Sequence, residues 1–427
     1  MRQAFVLGVI AALSILVTFV NQWFIIVTIG PGLSTDALYA GLAIPQLVLA
    51  MVSGSLMHVL VPLLSGNDPT EARADAWTLM AFIGILFGAV TLVLVVFAPL
   101  WAPLLFPGFR TDGAALLVQL TRIQAVGMLF AGLSGVLWAF NHSQKRFIWA
   151  DGSQFVATVL ALGLLVWLLP RIGIVAAAWT YVGRAVLQFA FLLPGLGWPS
   201  RAARARATVR EAWKRLQPLL VGTAYYKTDP VLDRVLASMS PAGELSLLYL
   251  GQQMFGAATK IVNNALAAPL VPLLSTEAKN RNWGAFRVLY RQRLAWIGAL
   301  TGGGYVAFVL IGREVLSLVI GHGGVTAQNV DFLWKVMVAL VGVFVAGALG
   351  QVTSVAFYSE GDTRTPTRLG IVTYTVYVPL KIIAYLRFGV IALAIATSAF
   401  VIVNTALQYI LMERNLRRRI PLVDEPA

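Results

Sequence analysis

The chain has 427 residues, of which 59% are hydrophobic and 12% charged. A soluble domain carries about 25% charged residues, so a water-soluble fold is excluded and the protein is integral to a membrane. Its 32 lysines and arginines against 18 acids give a net charge of +14, spread over several loops, which fits anionic lipid better than nucleic acid. With no cysteine, disulfides and thiolate metal sites are excluded.

Apolar stretches long enough to cross a bilayer, about 20 residues each, are read at 4–29, 38–65, 77–105, 114–140, 150–170, 172–195, 216–240, 245–275, 289–312, 332–358, 369–386 and 389–412. These twelve spans predict an all-α integral membrane fold with six helices in each half. The first is too long for the core of a signal peptide and is expected to remain as a membrane helix. The pentapeptide Val-Pro-Leu-Leu-Ser occurs at 61–65 and again at 271–275, and Ala-Phe precedes a polar loop at 139–140 and at 356–357. Matches in the same order at similar offsets predict one unit used twice. Because six is even, the two lobes would be related by a pseudo-two-fold axis along the membrane normal, around a central cavity.

The expected division is residues 1–195 for the first lobe, 196–217 for a basic cytoplasmic linker, 218–413 for the second lobe and 414–427 for a cytoplasmic tail. With the N-terminus inside, 21 of the 32 basic residues fall in inside loops and tails and four in outside loops, which predicts both termini in the cytoplasm. The linker stretch from Arg201 to Leu216 reads as a basic helix on the inner leaflet. A shorter stretch from Lys279 to Arg293, with Trp283, Phe286 and Tyr290, reads similarly. Prolines 31, 45, 218 and 230 mark expected ends or kinks.

Ionisable groups at bilayer depth cost about 2.5–3.5 kcal/mol each on insertion scales, so they are expected to face a cavity or a partner. The chain has Arg122, Arg184, Lys227, Asp229, Asp233, Arg234, Lys260 and Lys381 at such positions. Span 7 holds four of them. At about 100° per residue, Lys227 and Arg234 share one face and Asp229 and Asp233 the opposite one. The basic face, with Lys260, is expected to receive an anionic substrate; internal ion pairing is the alternative. Asp229 and Asp233 fit structural or ion-coupling roles, and one of them is the expected partner of Lys381. His58, His142 and His322 are scattered and form no metal set. No phosphate-binding Gly-x-x-x-x-Gly-Lys-Ser/Thr motif is present, so no ATP hydrolysis and no cofactor are expected.

Several pieces in order resemble the MurJ/MviN family of lipid II flippases, within the multidrug/oligosaccharidyl-lipid/polysaccharide exporter superfamily. They are Thr35-Asp36-Ala37-Leu38-Tyr39-Ala40 with Pro45, Val61-Pro62, Pro107-Gly108-Phe109, Asp233-Arg234-Val235-Leu236-Ala237-Ser238, Pro272-Leu273-Leu274-Ser275, and Phe357-Tyr358-Ser359 with Asp362 and Thr365-Pro366. The resemblance implies alternating access in a bacterial inner-membrane monomer. Its substrate would be a polyprenyl-pyrophosphate-linked glycan, lipid II or another precursor, and its partners membrane lipid and glycan-assembly enzymes. Family arginines taken to hold the pyrophosphate fall near Ile15 and Asn21, near Leu49 and on Gln253, none of them basic here. Lys260, two turns beyond Gln253, and Lys227 would then rebuild the cationic cavity, with Asn21, Asp36, Arg122 and Arg184 as further lining candidates. The family's sodium site matches Asp233, while its helix 11 acid falls on or near Lys381, so the lysine ammonium would take the place of a coupling cation. Coupling to the membrane potential or to a monovalent cation stays open. The other readings are a MATE-like cation/drug antiporter, a non-transporting envelope scaffold, and a membrane enzyme of glycan assembly, which lacks a catalytic constellation.

Overall fold

A computed structural model describes residues 2–65, 68–109, 113–199, 205–267 and 269–420, and within them the chain is helical with no strand. Arg110, Arg201, Arg204 and tail residues 421–427 lie outside the described residues.

Helix α1 (Arg2–Ile29) stops where Gly30 and Pro31 were expected to end it, and α2 (Leu33–Gly41) follows at once. Pro45 has no N–H to give the carbonyl of Gly41, so the chain restarts as α3 (Ala43–Leu64). Span 3 is likewise two pieces, α4 (Pro69–Val96) and α5 (Ala98–Leu105), with a proline at the start of the second. Spans 4, 5 and 6 are α6 (Ala114–Ser143), α7 (Phe147–Ile172) and α8 (Ile174–Leu192).

Span 7 departs most from an uninterrupted helix. It is α9 (Ala205–Ala224), a 3-10 turn at Tyr226–Thr228, and α10 (Asp229–Ala237). Pro230 removes the N–H that would bond residue 226, and proline is well tolerated only in the first helical turn, where it sits in α10. Pro218, by contrast, lies within the unbroken α9. The basic linker is therefore no separate element, because α9 runs from it directly into span 7. Ala212 and Leu216 of α9 are buried in the core, while Arg206, Arg210, Lys214 and Arg215 are exposed.

Span 8 is α11 (Glu244–Val262), a π-helical turn at Asn263–Ala267, and α12 (Leu270–Lys279). Span 9 is α13 (Trp283–Ile320). Span 10 is α14 (Ala327–Ala339), a second π-helical turn at Gly342–Ala346, and α15 (Gly347–Ser359). Spans 11 and 12 form one element, α16 (Arg364–Arg419), broken only at Gly389, whose φ of 75° and ψ of −160° suit glycine alone. The helix runs past the expected end at 412 into the basic tail.

Among the described residues nine helices are long and apolar enough to cross a membrane, ten when the two pieces of span 8 are taken together. Dividing α16 at Gly389 accounts for an eleventh. The twelfth expected span, span 7, is too charged to pass such a test. Large apolar side chains stand open on the outside of these helices, Leu104 at 76% and Phe388 at 79% exposed, as lipid-facing residues do.

The chain forms two compact units, Met1–Ser246 with Gly323–Val325, and Leu247–His322 with Thr326–Ala427. Span 7 thus packs with the first unit, although the repeat assigns it to the second lobe. The core of the first unit joins Leu56, Leu60 and Leu64 of α3 to Leu79, Ile83 and Phe87 of α4 and to Val136 and Phe140 of α6. That of the second joins Phe286, Tyr290 and Ile297 of α13 to Val352 and Phe357 of α15 and to Met412 and Leu416 of α16. This corrects the expectation of an interfacial helix at 279–293. Phe286 and Tyr290 are wholly buried, so the stretch is the first turns of α13 anchored in the core.

Candidate substrate site

The charged segment of span 7 lies along α3. Lys227, in the 3-10 turn, donates from Nζ to the Ala50 carbonyl at 2.5 Å. Arg234, on α10 and 6% exposed, donates from Nη2 to Oε1 of Gln46 at 2.5 Å. Gln46 and Ala50 are four residues apart, hence on one face of α3. The shared face read from the sequence is therefore realised, despite the interruption between the two cations.

Both of these acceptors are neutral. Among the described residues the carbonyl is the sole partner of Lys227, and no carboxylate lies within salt-bridge distance. An ammonium held by a carbonyl keeps its whole charge, so the half-buried Lys227 is still able to pair with an anion. Asp233 is buried and Asp229 half-buried on the same short helix.

Asp36 was expected to line the cavity and is instead buried and fully engaged. Its carboxylate accepts hydrogen bonds from the backbone N–H of Gly243 at 2.6 Å and of Ser246 at 2.8 Å, and from the Ser246 hydroxyl. Thr35 adds a hydroxyl contact to Ser246 at 2.9 Å. Nearby in sequence to these donors, Ser238 at the end of α10 meets the Pro107-Gly108-Phe109 turn. A Cβ on Gly108 would stand 1.5 Å from the Ser238 carbonyl oxygen, so only glycine permits the approach. Three of the motif pieces thus bind the start of span 2, the end of span 3 and the far end of span 7.

The remaining candidates are dispersed. Arg122 is exposed and donates to the Val95 carbonyl at 3.0 Å, capping the last turn of α4. Arg184 stacks over Tyr181, one turn back, at 5.8 Å. Asn21 bonds the Val17 carbonyl of its own helix at 3.0 Å. These three make local contacts that a structural role explains. In the second unit, Gln253 and Lys260 are both exposed on α11, and Lys260 has no carboxylate within salt-bridge distance among the described residues. Lys381 is wholly buried, its Nζ 5.0 Å from the ring centroid of Tyr377, which stacks on Phe400 at 4.5 Å. A cation over an aromatic face gains from the ring quadrupole.

Two features escaped the sequence reading. Gln46 is the one polar side chain between Ala43 and Val52, a signal that was available. Glu413 was not singled out, yet it joins Arg291 at 2.7 Å and Arg287 at 2.8 Å where α13 meets α16.

Solved structures place this fold in a class. One described as an inward-facing MATE family multidrug resistance transporter of the MOP superfamily matches with a TM-score of 0.70 at 16% identity, covering 97% of this chain and 94% of that one. Another, described as lipid II flippase MurJ in an inward closed conformation, matches with a TM-score of 0.85 at 15% identity, covering 97% and 90%. The chain shares its fold with these two transporters.

The family model for lipid II flippase MurJ matches residues 25–423. The chain belongs to the lipid II flippase MurJ family, as its motifs implied, and to a family of transporters rather than enzymes. A probable lipid II flippase MurJ of Vibrio cholerae is 23% identical over 423 residues, covering 89% of this chain and 76% of the relative. One of Synechocystis is 25% identical over 374 residues, covering 82% and 69%.

Proposed function

We propose that the protein moves an undecaprenyl-pyrophosphate-linked saccharide, lipid II or another lipid-linked glycan precursor, across the bacterial inner membrane by alternating access. In this reading both termini are cytoplasmic, the protein acts as a monomer, and two six-span lobes (1–195 and 218–413) joined by the basic segment 196–217 rock about the headgroup. The supporting observation is the charge of Lys227, held by a neutral carbonyl, with Arg234 following it on α10. A pyrophosphate crossing hydrocarbon must shed water at a cost of many kcal/mol, and cations already positioned along its path lower that barrier. Lys260, exposed and with no carboxylate within salt-bridge distance among the described residues, supplies a second charge.

A MATE-like antiporter shares the fold, but a cation substrate would be repelled by Lys227 and Arg234. Asp229 and Asp233 serve structure or ion coupling, and the Lys381 ammonium takes the place of a coupling cation, so transport does not require sodium. Enzymes of glycan assembly supply the substrate.

The test is leaflet accessibility of lipid-linked glycans in vesicles with and without the protein. The Lys227→Ala, Lys260→Ala double variant is expected to insert normally and lose transport. Normal transport by that variant would overturn the assignment.

A further inference from the structure

The second unit contains a cleft of about 680 Å³ that neither the transport reading nor the family motifs use. Its walls are α13 from Arg291 to Gly298, the end of the second π-helical turn with α15, and α16 from Ile402 to Tyr409. Eight residues of helix on two sides make it about 10 Å long. Small residues open it, among them Gly298, Ala346 and Ala406.

The two threonines of the walls already spend their hydroxyl protons on backbone carbonyls. Thr353 Oγ1 donates to the Leu349 carbonyl at 3.0 Å and Thr405 Oγ1 to the Ala346 carbonyl at 3.0 Å. Polar capacity is concentrated at one end. There Arg291 uses Nε and Nη2 on Glu413, leaving Nη1 without a protein partner among the described residues. The Tyr409 hydroxyl beside it carries no hydrogen bond among the described residues, its ring stacking on Tyr290 at 6.4 Å. Glu413 is shared by Arg287 and Arg291, so the cluster bears one excess positive charge. An apolar slot with an arginine and a tyrosine at its rim matches the layering of a bilayer interface.

We propose that this cleft binds an anionic phospholipid. The phosphate sits on Arg291 Nη1 and the Tyr409 hydroxyl, and the upper methylenes of both acyl chains run past Ala406 and Gly298. Since a methylene fills about the volume of a water molecule, ~30 Å³, the cleft has room for on the order of 20 of them. That suits the upper halves of two chains. A polyprenyl phosphate has a single narrow chain, which would leave part of the width unfilled and its wall contacts unmade.

The experiment is native mass spectrometry of the full chain, released from detergent with equimolar phosphatidylglycerol, phosphatidylethanolamine and polyprenyl phosphate. The wild type is expected to retain phosphatidylglycerol about tenfold over phosphatidylethanolamine, whose ammonium brings a like charge next to the cluster's excess positive charge. Arg291→Gln should abolish that preference. Gly298→Leu, whose Cβ would meet only Leu349 at 3.6 Å, fills the slot away from the ion cluster and should cut retention of phosphatidylglycerol about tenfold. Ala406→Leu is the second filling variant, should the first not fold. Undiminished retention in the filled variants, an unchanged preference in Arg291→Gln, or polyprenyl phosphate outcompeting phosphatidylglycerol would each overturn the proposal.

Discussion

Asp36→Asn perturbs a contact whose worth can be worked bond by bond. The carboxylate takes three hydrogen bonds, from Gly243 N–H, Ser246 N–H and the Ser246 hydroxyl. Hydrogen bonds to a charged group contribute about 1.5–3 kcal/mol each. Asparagine keeps one oxygen and satisfies the Ser246 pair through it, but turns its NH₂ toward the Gly243 N–H. One charge-assisted bond becomes a donor facing a donor, and the other two lose their charge. The net loss is about 2–3 kcal/mol. Because the chain has no cysteine, an Ala37→Cys probe would be the single thiol, and Ala37 is wholly buried beside Asp36. Maleimide labelling of that thiol reports how often this end opens. With about 1.4 kcal/mol per decade, Asp36→Asn should speed labelling on the order of 30–100-fold. An unchanged rate would show that these bonds do not hold the end closed.

Other outcomes follow from the same coordinates. Gly108→Ala puts a methyl group into the Ser238 carbonyl and should cost about 1–3 kcal/mol, read as a fall in Tm, whereas Gly152→Ala, with open space at its Cβ, should not lower it by overpacking. Burial holds the Glu360 carboxyl above the usual glutamate range, while Arg419, 3.1 Å away, pulls it back. Arg419→Ala should raise it further. The folded state then binds the extra proton between the ordinary glutamate pKa and the raised one, so stability falls as pH rises through that interval. A Tm-against-pH series should show this slope in Arg419→Ala and lose it in the Arg419→Ala, Glu360→Gln double variant. Transport by the wild type should not require sodium; sodium-dependent transport that is lost in Asp233→Asn and unaffected by Lys381→Ala would refute the role given to Lys381.

The sequence made the spans legible because twenty apolar residues have few other uses, and Gly30-Pro31 marked its helix end for a local reason. The facing of Lys227 and Arg234 was also readable, since helical periodicity survives a short 3-10 interruption. What they touch was not. A backbone carbonyl at Ala50 has no side-chain signature, and Gln46 reads as a tolerated polar residue until span 7 is laid against it. Asp36 misled for the same reason. Its partners are largely main-chain N–H groups at Gly243 and Ser246, so its letter alone suggested an acid open to a cavity. The two π-helical turns carry no compositional mark. The outside turn was expected at residues 387–388, and the structure places the break at Gly389 alone.

Lys227 also bears on how heat resistance and activity trade against each other. A half-buried cation held by a carbonyl, with no carboxylate within salt-bridge distance among the described residues, is a strain on the empty protein. Replacing it with methionine should give a hardier molecule that no longer works, and adding a pyrophosphate-bearing ligand should harden the wild type while leaving that variant unmoved. Screening for thermal tolerance alone would therefore select against the residue proposed to meet the pyrophosphate.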